Sequence, residues 1–477
     1  MALEYLPVRE GGRGRPVGLS AGTRPFFFFL FRVFSLLLLC GGVYILLIRL
    51  IVSLAGHKAV NGYDKLKVKM MIKNTMANAN GLFSRPSAAV GFAALAAVVF
   101  SAAFAFAGTP RGDAGVTAAR LPAEGTLEPF LGEPRFDMQQ VFSGDRFPNV
   151  VVATDGTVLA VWGGVRVRRS EDGGKTWGPE ILVGKGHMGG GVTVNEANGE
   201  IFAFVGKAHP PTTETVYRSQ DNGKNWAAVE VEIKPDSKGN KPEMHMNEHG
   251  ITLRHGKHKG RLLRPARWYA AGNKGSEWPN HYTTAIYSDD GGKTWLTSDP
   301  FPAFGTGEAT VAELSDGRIY YNSRRHWAPE GVDNLRRWTA WSDDGGATWK
   351  DLANCTVLPD GPQNTGYGLM GGLVRLPIEG KDILIFSNCE SPGGRDHGTV
   401  WASFDGAKTW PIKRLITPGA FAYSSLNAGR PGTKSEGWIY LLYEGGGAQM
   451  ARFNLNWLLQ GEKTGDGETP KGLSKTP

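Results

Sequence analysis

Five short segments of this chain carry the side chains best suited to chemistry. Asp145-Arg146-Phe147-Pro148 holds one arginine. Gly307-Glu308 leads through an Asp316-Gly317 turn to Asn322-Ser323-Arg324. Arg395 closes the glycine-rich stretch Ser391-Pro392-Gly393-Gly394. Ala422-Tyr423-Ser424-Ser425-Leu426 precedes Leu441-Leu442-Tyr443-Glu444. A guanidinium is planar, stays charged and meets a carboxylate through two parallel N–H groups, so arginines from separate segments suit an anionic ligand. Each residue also has a plain structural reading: an arginine at a strand start or in a solvated loop, a tyrosine in a core. Arg325 follows Arg324 directly, so on a strand it points to the other face. Which reading holds depends on the elements that bring the segments together.

Those elements announce themselves by repetition. Ser170-Glu-Asp-Gly-Gly-Lys-Thr-Trp177 recurs as Ser219–Trp226, Ser288–Trp295, Ser342–Trp349 and Ser403–Trp410, with Trp-to-Trp gaps of 49, 69, 54 and 61 residues. Ser-x-Asp-x-Gly-x-Thr-Trp describes a hairpin tip. Asp bonds nearby backbone, Gly accepts positive φ, and the Trp opens the next strand and packs between layers. Between the copies run short apolar stretches such as Val158–Trp162, Ile201–Val205, Ile383–Phe386 and Ile439–Tyr443, bounded by Gly, Asp or Asn. Strand-built units at this spacing predict an all-β, six-bladed β-propeller of four-stranded blades. An EF-hand reading of Asp-Asp-Gly-Gly fails, because the alternating acidic ligands and the glutamate at the twelfth position are missing.

The octapeptide is an Asp-box, and with it the chain resembles the sialidase (neuraminidase) superfamily. The resemblance implies roles for the segments above. Arg146 matches the first arginine of the family's Arg-Ile-Pro motif, with Phe147 where the family has Ile. Glu308 and Arg324 match the catalytic glutamate and the second arginine. Arg395 matches the third arginine, Tyr423 the nucleophile of a Tyr-Ser-x-Leu motif, and Glu444 the glutamate that orients the first arginine. The implied activity is retaining exo-α-sialidase hydrolysis of terminal sialic acid. A phenol is the nucleophile, as sialidases depart from the two-carboxylate rule of most glycosidases. No cofactor and no metal are implied. A hydrolase or lyase acting on another acidic sugar, and a non-catalytic glycan-binding propeller, stay open as alternatives.

One part of the family pattern is absent. The acid/base Asp belongs on a loop between the first arginine strand and the first octapeptide. Here Trp162-Gly163-Gly164 runs straight into Val165-Arg166, with no Asp or Glu between Asp155 and Glu171. A replacement donor is expected either in Glu243-Met-His245-Met-Asn-Glu248-His249 or at His187.

The charge of +8 over 477 residues is uneven. Residues 1–107 hold twelve Lys or Arg against three Asp or Glu, which leaves the remainder near neutrality. A nucleic-acid partner therefore has no support in the globular part, and no obligate protein partner is implied. Residues 1–69 read as a doubtful extension with an apolar segment at Phe26 to Ala55. Residues 70–107, starting at Met70-Met71 and ending Ala105-Phe106-Ala107, read as a signal peptide. Secretion or a periplasmic location follows, or a membrane anchor at 33–48 if that segment is retained. Residues 108–135 are a lead-in, 136–460 the propeller and 461–477 a polar tail expected to be disordered. Cys355 and Cys389 could pair in an oxidising compartment or stand as unpaired buried thiols.

Overall fold

A computed structural model describes residues 121–186, 191–364 and 368–473. Both apolar segments, Cys40, the expected cleavage point and His187 lie outside the described residues. Short β-branched and aromatic runs form six antiparallel sheets, each of at least four strands. Blade one comprises Pro148–Val152, Val158–Trp162, Arg166–Ser170 and Ile181–Leu182. Blade two comprises Val192–Val194, Ile201–Gly206, Glu214–Ser219 and Ala227–Val229. Blade three runs from Ile251–Thr252 through Leu262–Trp268 and Tyr282–Ser288 to Thr294–Thr297. Blade four holds Thr306–Glu313, Ile319–Arg325, Arg336–Ser342 and Lys350–Pro359. Gly372–Arg375, Leu384–Cys389, Asp396–Ser403 and Ile412–Ala420 make blade five. Blade six is built from both ends of the domain. Ser424–Ala428, Ile439–Glu444 and Ala448–Phe453 are completed by Phe136–Phe142, which pairs antiparallel with Ala448–Phe453. The expected six-bladed propeller is the observed fold.

Every octapeptide sits between the third and fourth strands of its blade. In the first copy Ser170 Oγ donates to Asp172 Oδ1 at 2.7 Å, while Gly174 N donates to Ser170 Oγ at 2.8 Å and Thr176 N to Asp172 Oδ1 at 3.0 Å. The same serine–aspartate pair recurs at Ser219/Asp221, Ser288/Asp290, Ser342/Asp344 and Ser403/Asp405. Two positive-φ residues turn each tip. They are Gly173 and Gly174 in the first copy, whereas the fifth carries Ala407 at φ 66° in the place of Gly174. The motif tryptophan then packs toward the preceding blade, as Trp295 does edge-on to Phe202 and Phe204.

The apolar core is correspondingly divided among the gaps between blades. Val150, Trp162, Tyr440 and Met450 fill the gap between blades six and one. Phe204, Leu262 and Trp295 fill the gap between blades two and three. Leu373, Phe386 and Trp401 pack against Ala312 and Tyr320 between blades four and five. The lead-in also docks. Gly125 exchanges backbone bonds with Pro377 and Glu379, Arg254 Nη1 donates to Pro122 O at 2.9 Å, and Glu124 pairs with Arg375 at 2.5 Å.

The tail differs from expectation over residues 461–473. Glu462–Lys463 adds a strand to Ile412–Ala420, Trp410 N donates to Asp466 Oδ2 at 2.8 Å, and Thr464 Oγ1 donates to Trp410 O at 2.6 Å. Its polar composition pointed to disorder, but its short side chains satisfy backbone groups left open at the last octapeptide. Cys355 and Cys389 are both free thiols, with Cys389 buried. No helix among the described residues is long and apolar enough to cross a membrane.

Candidate active site

The site gathers at one end of the blades, around Tyr423. This residue lies just before the innermost strand of blade six, and its side chain is buried. Its hydroxyl donates to Glu308 Oε1 at 2.7 Å. Glu308 reaches it because the innermost strand of blade four bulges. Thr306 pairs with Arg325 and Ala309 with Ser323, so Gly307 and Glu308 together face the single residue Arg324. Such a bulge re-aims a side chain out of strict alternation. Glu308 Oε2 accepts from Arg324 Nη1 at 2.9 Å, with both side chains at most 3 % exposed. Arg337 holds the backbone beneath. It is fully buried, bonds Asn322 Oδ1 at 2.6 Å and Asp360 Oδ1 at 2.7 Å, and donates to Glu308 O at 3.3 Å.

Two more guanidinium groups stand over the tyrosine ring. Arg146 Cζ lies 5.1 Å from its centroid and Arg395 Cζ 5.6 Å. Arg146 precedes blade one between two residues of positive φ, Asp145 and Phe147. Non-glycine residues seldom adopt that conformation, and it persists where surrounding contacts impose it. Here Glu444 imposes it. Its carboxylate accepts from Arg146 Nε at 3.2 Å, Arg146 Nη2 at 3.1 Å and Phe147 N at 2.9 Å. The Phe147 ring then meets Tyr423 edge-on at 5.7 Å. Arg395 precedes the third strand of blade five and reaches Gly368 O at 3.5 Å. The structure thus brings together all six residues singled out in the sequence.

Burial alone would raise the Glu308 carboxyl, but the fields of Arg324 and Arg267 and the hydrogen bond from Tyr423 outweigh it, so its pKa falls below the usual carboxylate range. Burial and the neighbouring Glu308 charge push the Tyr423 phenol well above its ordinary value. At rest the pair is therefore carboxylate and neutral phenol.

Arg267 is a contributor that the sequence motifs did not disclose. It is buried on the second strand of blade three, where its Nη2 donates to His281 Nδ1 at 2.7 Å and to His326 Nε2 at 3.0 Å. Both imidazoles accept, so both are neutral there. Burial and then Arg267 push His281 down to about 4. Gly307 makes this packing possible, since a Cβ on it would stand 2.7 Å from His326 Nδ1 and 3.2 Å from Arg267 Nη1. The one available signal was Arg267-Trp268 at a strand end, which carries no specificity.

The replacement-donor candidates separate clearly. Glu248 is sealed among the innermost strands, accepting from Ser425 Oγ at 2.6 Å and Leu426 N at 3.0 Å. His249 is buried against Leu426 O at 2.8 Å. His245 lies toward the site, its ring 5.9 Å from the Phe147 ring, whereas Glu243 Oε1 accepts from Thr212 N at 2.9 Å. The expected acid loop is a two-residue turn, Gly163-Gly164, both at positive φ. No group of three His, Cys, Asp or Glu residues suited to a metal occurs among the described residues.

Residues 163–433 match the BNR repeat-like domain family. The chain belongs to that family. This BNR repeat-like propeller is similar to the sialidase of Micromonospora viridifaciens, at 30% identity over 396 residues, covering 72% of the chain and 58% of the relative. It is similar also to the Bacteroides fragilis sialidase, at 26% identity over 326 residues, covering 57% and 55%. The chain therefore spans little more than half the length of either relative. Among solved structures it is similar to the Hadza microbial sialidase Hz136, with a TM-score of 0.52 at 24% identity and 66% of each chain covered. The intramolecular trans-sialidase of Ruminococcus gnavus in complex with oseltamivir carboxylate matches with a TM-score of 0.51 at 16% identity, over 67% of this chain and 98% of the other. At such identities the two structures speak for the fold alone.

Proposed function

We propose that the chain is a retaining glycoside hydrolase that removes a terminal acidic sugar, of the sialic acid class, from glycoconjugates. The observation that carries this reading is the Tyr423 hydroxyl 2.7 Å from Glu308, with three guanidinium groups around that pair. Arg146, Arg324 and Arg395 hold the sugar's carboxylate, and Glu444 keeps Arg146 aimed. The Tyr423 oxygen attacks the anomeric carbon while its proton passes to Glu308. An anionic nucleophile would be repelled by the carboxylate on that same carbon, whereas the neutral phenol is not. The two sialidases named above support this reading through their sequence identity to the chain, 30% and 26%. Export through the segment at 70–107 fits extracellular glycans as substrates.

Tyr423→Phe tests the assignment. It should abolish turnover of a fluorogenic sialoside while binding of an unsaturated sialic acid analogue changes less than about threefold. Unchanged hydrolysis rules out the phenol as nucleophile. The shortened Gly163-Gly164 turn favours a second reading, a glycan-binding propeller without turnover. Analogue binding by the unaltered protein with no cleavage of any sialoside would establish that reading instead.

A further inference from the structure

Met246 touches the tyrosine oxygen and takes no part in the chemistry set out above. Its Sδ stands 3.7 Å from the Tyr423 hydroxyl, which donates to Glu308 Oε1 at 2.7 Å. A phenol carries a single proton and a carboxylate is a far stronger acceptor than a thioether, so the sulfur is a bystander in the reduced protein. We propose that Met246 is a modification site: oxidation of its sulfur by a hydroperoxide breaks the Tyr423–Glu308 alignment and switches the site off. The inference rests on the reading of Tyr423 as nucleophile.

The fold fixes the sulfur in place and leaves it within reach. Met246 has φ 53°, a left-handed conformation that a non-glycine residue keeps where its neighbours impose it. Those neighbours belong to blade four. Asn247 Oδ1 accepts from Ala309 N at 3.1 Å and Glu248 N donates to Ala309 O at 3.0 Å, one residue beyond Glu308. Asn247 Nδ2 donates back to His245 O at 3.1 Å. The segment carrying the sulfur is thus tied to the residue after the base. Met246 is nevertheless half-buried rather than sealed. With Phe147, Pro148 and Met370 it lines a small pocket that has room for about one water-sized molecule. Met244, Met370 and Met450 are at most 2 % exposed. Among the described residues the other accessible methionine is Met138, at 45 %, on the outermost strand of blade six.

The step is a two-electron oxidation of thioether to sulfoxide. A sulfur lone pair takes one oxygen of hydrogen peroxide as the O–O bond breaks, and the other oxygen leaves as water with both hydrogens. The sulfur is oxidised, the peroxide is reduced, and no other reactant enters. The new oxygen reaches one bond beyond the sulfur, which brings it from the 3.7 Å contact to hydrogen-bond distance of the phenol. Tyr423 then faces two oxygen acceptors with one proton. Either that proton turns to the sulfoxide, which is too weak a base to carry it away, or the two unprotonated oxygens repel and the phenol is pushed off Glu308. Both outcomes misplace the nucleophile, and a displacement of about 1 Å costs about 10²-fold in rate.

The test exposes Met138→Leu protein to hydrogen peroxide, because Met138 Sδ contacts the Tyr443 hydroxyl and would add a second tyrosine signal. Peptide mass spectrometry follows each methionine, and Met246 should convert before Met244, Met370 and Met450. Turnover of an aryl sialoside should fall in step with Met246 conversion, to about 10²-fold below its starting value. Methionine sulfoxide reductase should restore it where a thiol reductant alone does not, which sets the loss apart from oxidation of Cys355 or Cys389. Adding Met246→Leu should make whatever activity that variant starts with resistant to the same exposure. A near-ultraviolet difference band from one tyrosine should accompany conversion and vanish when Tyr423→Phe is added. Conversion of Met246 with turnover and spectrum unchanged, or equal loss of activity in the Met246→Leu protein, overturns the inference. Should the leucine variant fail to fold, the correlation of turnover and spectrum with Met246 conversion still decides. Failure of the untreated protein to cleave the sialoside refutes the hydrolase reading instead, and the tyrosine band then decides whether the sulfoxide reaches Tyr423.

Discussion

Replacing Glu308 by glutamine removes one negative charge from beside the Tyr423 hydroxyl and changes little else in shape. Both side chains are almost wholly buried, at 2 % and 4 % exposure. A carboxylate and a phenolate with charge centres roughly 4 Å apart interact by about 4 kcal/mol at an effective dielectric near 20, equivalent to about three pKa units. In Glu308→Gln that repulsion disappears, while Arg324 and Arg395 still favour a phenolate. The Tyr423 ionisation should therefore move down by about three units. Ultraviolet difference titration would show one tyrosine more ionising before alkaline unfolding in the variant than in the unaltered protein. The extra titration should vanish when Tyr423→Phe is added. Turnover at neutral pH should drop by about 10²–10⁴-fold with the base gone. A tyrosine titration identical in variant and parent would refute the electrostatic account of the pair.

Three further outcomes follow from other parts of the molecule. Ala407→Gly should raise the melting temperature, because Ala at φ 66° carries a left-handed backbone cost of about 1–2 kcal/mol, only partly offset by the entropy glycine loses on folding. Glu444→Gln should raise KM for a sialoside about tenfold with kcat little changed. The ion pair with Arg146 is partly exposed and worth about 1 kcal/mol, and its main effect is orientation. Glu124 feels burial raising its pKa, but bonds to His255 and Arg375 outweigh this and bring it down to about 2 from 4.5. A depressed carboxyl stabilises the fold above its unfolded pKa and loses that contribution as pH falls. Melting temperature should therefore decline between pH 4.5 and 2, and less steeply in Glu124→Gln.

The fold was legible because it is repetitive. Each octapeptide fixes its own hairpin through contacts within four residues, as Ser170, Asp172 and Gly174 do, so local sequence suffices. The six site residues were legible because motif spacing survives even where partners lie far apart, as Tyr423 and Glu308 do at 115 residues. Arg267 was not legible. Its place depends on a bulge at Gly307 and on two histidines that flank strands of blades three and four, and no local pattern encodes that meeting. The tail past residue 460 was misjudged for a related reason: polarity reports on burial, and this segment docks through hydrogen bonds rather than apolar surface. Glu243 and Glu248 look alike in sequence, and only tertiary context separates the fully buried Glu248 from the half-buried Glu243.

Blade six takes its outermost strand from Phe136–Phe142 and its other three from residues beyond 423. The Arg146–Glu444 pair, 298 residues apart in sequence, crosses that same seam. Ring closure and the meeting of Arg146 with Glu444 thus depend on the same joining of the two ends of the domain. A chain still emerging from the ribosome cannot form that pair until its final blade is threaded home.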